Sequence, residues 1–243
     1  MKQIPNIITL ANLFCGCIAA VYAVEANFLY ASSFVLLGIF FDFFDGLAAR
    51  VLNVAGPFGK QLDSLADVVT SGVVPGIIMF QLIHINLNRN TNSLVYNEET
   101  HLDVGLIGLL LALAAAYRLA KFNIDERQTK SFIGLPTPAM SMFVISLPLI
   151  QQYSDIEFAK YLIANNYFLI SLTWVLCYLM NAEIPLFSLK FEEFSFSENY
   201  IKYLFLLMSI ALIWFIPFLS IPVIIILYVV LSLIKKPKFF KEE

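Results

Sequence analysis

Asp42-Phe43-Phe44-Asp45-Gly46-Leu47-Ala48-Ala49-Arg50, then eight residues, then Gly59-Lys60-Gln61-Leu62-Asp63-Ser64-Leu65-Ala66-Asp67, is the stretch on which the fold turns. Asp42 and Asp45 stand at i and i+3 at the end of an apolar run, and Asp63 and Asp67 at i and i+4 at the start of the next. In helices each pair occupies one face. Gly59 falls one turn before Asp63 on the same face, and Ala49 one turn beyond Asp45. Small residues there allow a phosphate or a neighbouring helix to come close.

Inside a transmembrane helix an aspartate costs about 2.5–3.5 kcal/mol near the bilayer centre. Four facing one another also repel, and Arg50 and Lys60 cannot neutralise all four. Protonation is one escape and bound divalent cations are the other. An all-oxygen set without His or Cys suits Mg²⁺ or Mn²⁺. Two such ions about 3.5–4 Å apart form the clamp used in phosphoryl transfer. A lone aspartate at a membrane boundary would read as a solvated helix end. Four at this spacing, with two glycines and an arginine, read as a site.

Outward from this stretch the chain is overwhelmingly apolar. Of 243 residues, 60% are hydrophobic and 14% charged. A soluble domain has no place for so much apolar surface, whereas about 20 residues span a bilayer core. The expectation is an all-α integral membrane protein with helices at 5–25, 28–50, 60–84, 104–122, 136–153, 161–180, 200–217 and 219–235. That is a bundle of about eight transmembrane helices, a six-helix catalytic core plus a C-terminal pair, in one polytopic domain over 1–243. The signature occupies 42–67 and the C-terminal pair 200–235, joined by a tight turn at Leu219-Ser220; a re-entrant hairpin is the alternative there.

Residues 5–25 carry Asn6, Thr9 and Asn12 and precede further spans, so they read as a first transmembrane helix, not a cleaved signal. With eight spans, Lys2, Arg50, Lys60, Lys121, Arg127, Lys130, Lys190, Lys202, Lys235, Lys236, Lys238 and Lys241 share one side, and only Arg89 and Lys160 the other. The positive-inside rule makes the first side cytoplasmic, with both termini and the carboxylates there, in the cell membrane. His84, His101 and the polar stretch 85–103 then face outward, out of reach of the aspartates. The net charge of -3 and the absence of a basic block exclude a nucleic-acid partner. Cys15, Cys17 and Cys177 read as packing residues and support neither a disulfide framework nor a zinc site.

The pattern Asp-x2-Asp-Gly-x2-Ala-Arg-x8-Gly-x3-Asp-x3-Asp resembles the signature of the CDP-alcohol phosphatidyltransferase family at every fixed position. The resemblance implies that Asp42, Asp45, Asp63 and Asp67 hold Mg²⁺ or Mn²⁺, two ions in all. It implies that Asp67 also serves as general base and that Gly46, Ala49, Arg50 and Gly59 line the CDP site. The run Pro5 to Asn12 resembles the family's first helix, which adds Asn6, Thr9 and Asn12 to the CDP-diacylglycerol contacts. Capping and interhelical hydrogen bonding are the other reading of Asn6 and Asn12. A homodimer embedded in membrane lipid is implied as well.

The signature does not name the acceptor alcohol. Ala116-Tyr117-Arg118-Leu119-Ala120-Lys121-Phe122-Asn123, Gly134-Leu135-Pro136-Thr137-Pro138-Ala139, Ser64 and Ser71-Gly72-Val73-Val74-Pro75-Gly76 resemble the branch that uses L-serine. Serine's carboxylate calls for a guanidinium or ammonium. Arg118 is the candidate partner, with Lys121 beside it contacting phosphate or the acceptor. Three rivals stay open: a family enzyme acting on glycerol 3-phosphate or inositol phosphate, a divalent-cation transporter, and an inactive scaffold.

Overall fold

The computed structural model describes residues 3–90, 104–125, 132–186 and 196–234. Lys2, Arg127, Lys130, Lys190, His101 and the four lysines after 234 lie outside them, as does 91–103 of the polar stretch 85–103.

Helix α1 (Ile4–Val24) begins on Pro5, whose fixed φ and missing N–H suit a first turn. A short turn through Ala26, with φ 54°, leads into α2 (Phe28–Val51). The two pack along their lengths as a hairpin. After a second turn, with Asn53 at φ 53°, an extended Gly56 precedes α3 (Pro57–Val68), again with proline in the first turn. Helix α3 does not stop there. A π-helical turn, Val69–Val73, carries it into α4 (Val74–Asn90), so one helical rod replaces the expected 60–84 span and extends beyond both of its ends.

A 3-10 turn at Leu106–Leu109 opens α5 (Leu110–Ile124). Glycines let this segment approach α4: a Cβ on Gly108 would lie 2.6 Å from the Phe80 amide nitrogen. Small residues at helix contacts are how membrane bundles gain close packing. A two-residue strand β1 (Phe132–Ile133) pairs antiparallel with β2 (Pro185–Leu186), and Gly134 takes the left-handed conformation, φ +73°, that follows it. Helix α6 (Thr137–Tyr153) is buried at every residue from Phe143 to Ile150, the mark of a helix surrounded by others.

Helices α7 (Glu157–Ile163) and α8 (Asn166–Asn181) meet at 79°, so the expected 161–180 helix is broken. Asn165 makes the break: its Oδ1 caps α8 by accepting from the backbone N–H of Tyr167 at 2.9 Å and of Phe168 at 3.4 Å. At the C-terminal side, α9 (Phe196–Phe215) and α10 (Pro217–Ile234) divide at Ile216, not at Leu219-Ser220. Pro217 starts a helix well, and the Ser220 hydroxyl folds back onto the Pro217 carbonyl at 2.6 Å inside that first turn.

Among the described residues four helical stretches are long and apolar enough to cross a membrane: Ile4–Val24, Pro57–Leu87, Leu106–Ile124 and Pro217–Ile234. The bent pair Glu157–Ile163 and Asn166–Asn181 makes a fifth if it counts as one span. The protein is therefore an all-α, multi-pass membrane protein; among the described residues four or five stretches qualify as spans, where eight were expected. Buried polar side chains tie the bundle together: Ser32 to the Ile145 carbonyl (3.1 Å), Asn86 to that of Ile163 (2.7 Å) and Asn181 to that of Ala114 (3.2 Å).

Candidate active site

Helices α2 and α3 bring the aspartates together. Side-chain oxygens of Asp42, Asp63 and Asp67 lie within 4.8 Å of one another, Asp67 being buried and the other two half-buried. Asp45 is buried beside them and interacts with the Thr9 hydroxyl from α1, which itself donates to the Pro5 carbonyl at 3.0 Å. Asp63 Oδ1 and Asp45 Oδ2 are buried without a hydrogen-bond partner. Three converging carboxylates, oxygen ligands alone, and buried oxygens left unpaired fit a hard divalent cation such as Mg²⁺ or Mn²⁺.

Beside the carboxylates is a cavity of about 790 Å³. Asn6 and Thr9 from α1, Asp45, Gly46, Ala49 and Arg50 from α2, and Gly59 and Asp63 from α3 line it, so six of the seven residues expected to contact the CDP-alcohol face one space. Its volume falls within the roughly 300–1,000 Å³ usual for small-molecule sites. Arg50 is exposed and folds back on its own helix, its Nε donating to the Gly46 carbonyl at 3.0 Å. Nothing crowds Gly46 except this side chain: a Cβ there would sit 3.6 Å from the Arg50 guanidinium.

Asn12 is the exception. It is fully buried and does not line the cavity; its Nδ2 donates to Asp67 Oδ1 at 3.2 Å. Thr70, in the π-helical turn just after Asp67, donates its hydroxyl to the Asn12 carbonyl at 3.3 Å.

Two further cations lie near the site, of which Lys60 lines the cavity and Arg118 does not. Arg118, on α5, is only 7% exposed and its Nε lacks a hydrogen-bond partner. Its guanidinium lies 6.0 Å from the Phe122 ring centroid and acts electrostatically on Asp67. Lys60 Nζ stands 5.9 Å from the same ring. Lys121 turns elsewhere, pairing with Glu183 at 3.3 Å, and does not line the cavity.

Lys60, Gln61 and Asn123 line the cavity without having been singled out as ligands. Lys60 donates to the Asn123 carbonyl at 2.8 Å, and the Asn123 amide donates to Ser64 Oγ at 2.8 Å. Sequence spacing gives no hint of that bridge, because it joins residues about sixty positions apart. His84 sits on α4 and is not among the cavity residues.

The sequence profile named CDP-alcohol phosphatidyltransferase matches residues 2–183. Among curated proteins, the CDP-diacylglycerol–serine O-phosphatidyltransferase of Bacillus subtilis is 36% identical over 151 residues, 60% of this chain and 76% of that protein. A protein of the same name from Methanocaldococcus jannaschii is 30% identical over 202 residues, 76% of this chain and 87% of its own. A third, from Helicobacter pylori strain J99, is 33% identical over 144 residues, 58% of this chain but only 55% of that protein.

Proposed function

This chain belongs to the CDP-alcohol phosphatidyltransferase family, and on that premise we propose that it moves the phosphatidyl group of CDP-diacylglycerol onto the hydroxyl of L-serine, releasing CMP and leaving phosphatidylserine in the membrane. The observation that carries the reading is the convergence of Asp42, Asp63 and Asp67 beside a cavity that Gly46, Ala49, Arg50 and Gly59 line. The relatives named as serine phosphatidyltransferases support serine over glycerol 3-phosphate or inositol phosphate.

Asp42, Asp45, Asp63 and Asp67 are the residues that would hold the divalent ions. When bound, such ions neutralise a diphosphate and stabilise CMP as it departs. The chain supplies the rest. Gly46, Ala49 and Gly59 keep the cavity wall free of side chains where the diphosphate lies. Arg50 and Lys60 add positive charge at its rim, and Asn6 and Thr9 offer polar contacts from α1. The acyl chains stay in lipid.

Asp67 takes the proton from the serine hydroxyl. The oxygen attacks the phosphorus that bears diacylglycerol, a new P–O bond forms, and the bond to CMP breaks. No activated nucleophile of the protein is needed, so the displacement is direct. Arg118 receives the serine carboxylate: a buried guanidinium with an unsatisfied Nε, next to the base, is the donor such an anion requires. Lys121, held by Glu183, supports that end of α5 from outside the cavity.

The place of Asp42 and Asp45 in the last turns of α2 supports an active site near one membrane face, and the positive-inside rule supports a cytoplasmic one with both termini inside. The wider reading is of one polytopic domain in the cell membrane, working as a homodimer.

The test offers the purified protein CDP-diacylglycerol with Mn²⁺ or Mg²⁺, and serine, glycerol 3-phosphate or inositol phosphate separately. CMP release and the lipid product are measured. Phosphatidylserine formed only with serine, and lost in Asp63→Asn, supports the proposal. Product with another acceptor alone moves the enzyme to another branch, and metal uptake into proteoliposomes without product favours a transporter.

A further inference from the structure

We infer that Asn12 is a positioning residue for Asp67, acting on turnover through the carboxylate and not through contact with the nucleotide. The inference rests on the proposed role of Asp67 as base.

A residue on the first helix of such a site would ordinarily be assigned to the donor substrate, and Asn6 and Thr9 do face the cavity. Asn12 does not. It is 0% exposed, and its amide Nδ2 reaches Asp67 Oδ1 at 3.2 Å across 55 residues of chain. An ionised carboxylate accepts several hydrogen bonds but has no torsional preference strong enough to hold its plane. One amide donor fixed on one oxygen sets that plane and so aims the other oxygen.

The donor is itself held from three sides. The Asn12 backbone carbonyl accepts from Thr70 Oγ1 at 3.3 Å. Gly38 of α2 lies against its side chain, so closely that a Cβ there would come 2.9 Å from Asn12 Oδ1 and 2.7 Å from Thr70 Cγ2. Gly16, one turn further along α1, gives Thr70 room on the other side. Three helices thus meet around one amide, and its Oδ1, buried without a partner, is turned away from any competing donor. An amide present only to glue helices would be expected to satisfy its own oxygen. This one spends its donor on the carboxylate and leaves the oxygen unpaired.

The test uses Asn12→Leu, which keeps the shape but has no donor, and Gly38→Ala, which keeps the amide but forces the side chains of Asn12 and Thr70 to shift. Neither residue faces the cavity. Each purified full-length variant is examined for thermal unfolding, binding of CDP-diacylglycerol and of Mn²⁺ alone, and kcat and KM for both substrates. The expected result is a fall in kcat of about a hundredfold for Asn12→Leu, the loss that a misplacement of about 1 Å can cause, with donor affinity within about threefold of wild type and Mn²⁺ still bound. A smaller fall in kcat is expected for Gly38→Ala, again at unchanged KM.

Loss of donor binding with kcat preserved at saturation would overturn the inference and make Asn12 a nucleotide contact. Unchanged kcat per folded molecule in both variants would reduce Asn12 to packing. If the wild-type protein makes no phosphatidylserine while both variants bind CDP-diacylglycerol normally, the proposed reaction fails first, and the inference falls with it.

Discussion

Lys60 Nζ donates to the main-chain carbonyl of Asn123 at 2.8 Å, closing the cavity by tying the first turn of α3 to the last turn of α5. A lysine at a helix C-terminus satisfies a carbonyl that the helix leaves free. Here the same ammonium also puts positive charge on the wall of a site for an anionic substrate. For Lys60→Met the expected result is a folded protein whose KM for CDP-diacylglycerol or serine rises about fivefold, roughly 1 kcal/mol of binding, with kcat little changed. Steady-state kinetics against each substrate reveals which one feels the charge.

Asp63→Asn should abolish turnover, by at least about a hundredfold as for other charge-stabilising groups, without unfolding the protein. Removing one of several mutually repelling carboxylates relieves repulsion in the metal-free state. The variant's unfolding temperature without metal should therefore equal or exceed that of wild type. Mn²⁺ should raise the wild-type value, because a ligand that binds only the folded state stabilises it. It should do so far less in the variant, and a chelator should erase the difference.

Asp67→Asn is expected to retain CDP-diacylglycerol binding while losing turnover, since an amide cannot accept the hydroxyl proton. Binding is measured with the donor alone. Substantial residual turnover would remove Asp67 from the base role.

Arg118 predicts a joint effect on stability and activity. It is the buried positive charge that acts on Asp67, and removing one partner of a buried pair leaves the other uncompensated. Arg118→Met should lower the unfolding temperature of the metal-free protein and fail to saturate with serine. Arg118→Lys should not restore saturation, because an ammonium lacks the planar fork that grips a carboxylate.

The glycines sort by their surroundings. A Cβ on Gly16 would run into the Thr70 hydroxyl and lie 3.1 Å from its Cα, so Gly16→Ala should cost about 1–3 kcal/mol of stability. Gly46→Ala meets only the movable tip of Arg50 at 3.6 Å and should fold normally. Its loss should appear in KM for the donor, because the methyl group projects into the cavity wall.

Local spacing made much of this site readable. The i,i+3 and i,i+4 placement of the aspartates put each pair on one helix face, and the small residues at 46, 49 and 59 pointed to a close approach, before any tertiary contact was known. What could not be read came from partners distant in the chain. Asn12, like Asn6, carried two readings, donor contact and interhelical hydrogen bond; only the arrival of Asp67 and Thr70 selects the second for Asn12. Lys121 looked like an acceptor contact until Glu183, outside the signature, claimed it. Helix ends were displaced where a short polar interruption could be read as part of a longer span. Asn165-Asn166 interrupt the apolar run, and Asn165 is a competent cap, but hydropathy alone does not give the 79° bend. The division at Ile216 was displaced by a few residues because Pro217 and Pro222 each suit a helix boundary, and Pro217 took the first turn.

The π-helical turn at Val69–Val73 begins two residues after Asp67. Such a turn winds one more residue than an α-helical turn, and each residue of an α-helix rotates the chain by about 100°. Its effect is that of a coupling between two shafts set at different angles: the carboxylate end can face the other aspartates while the far end presents Gly76 and Phe80 to the glycines and the 3-10 turn that precede α5. Deleting one residue within 69–73 would convert the coupling to plain α-helix and spoil one alignment or the other. A chain so shortened could keep its bundle or its metal-binding face, but not both.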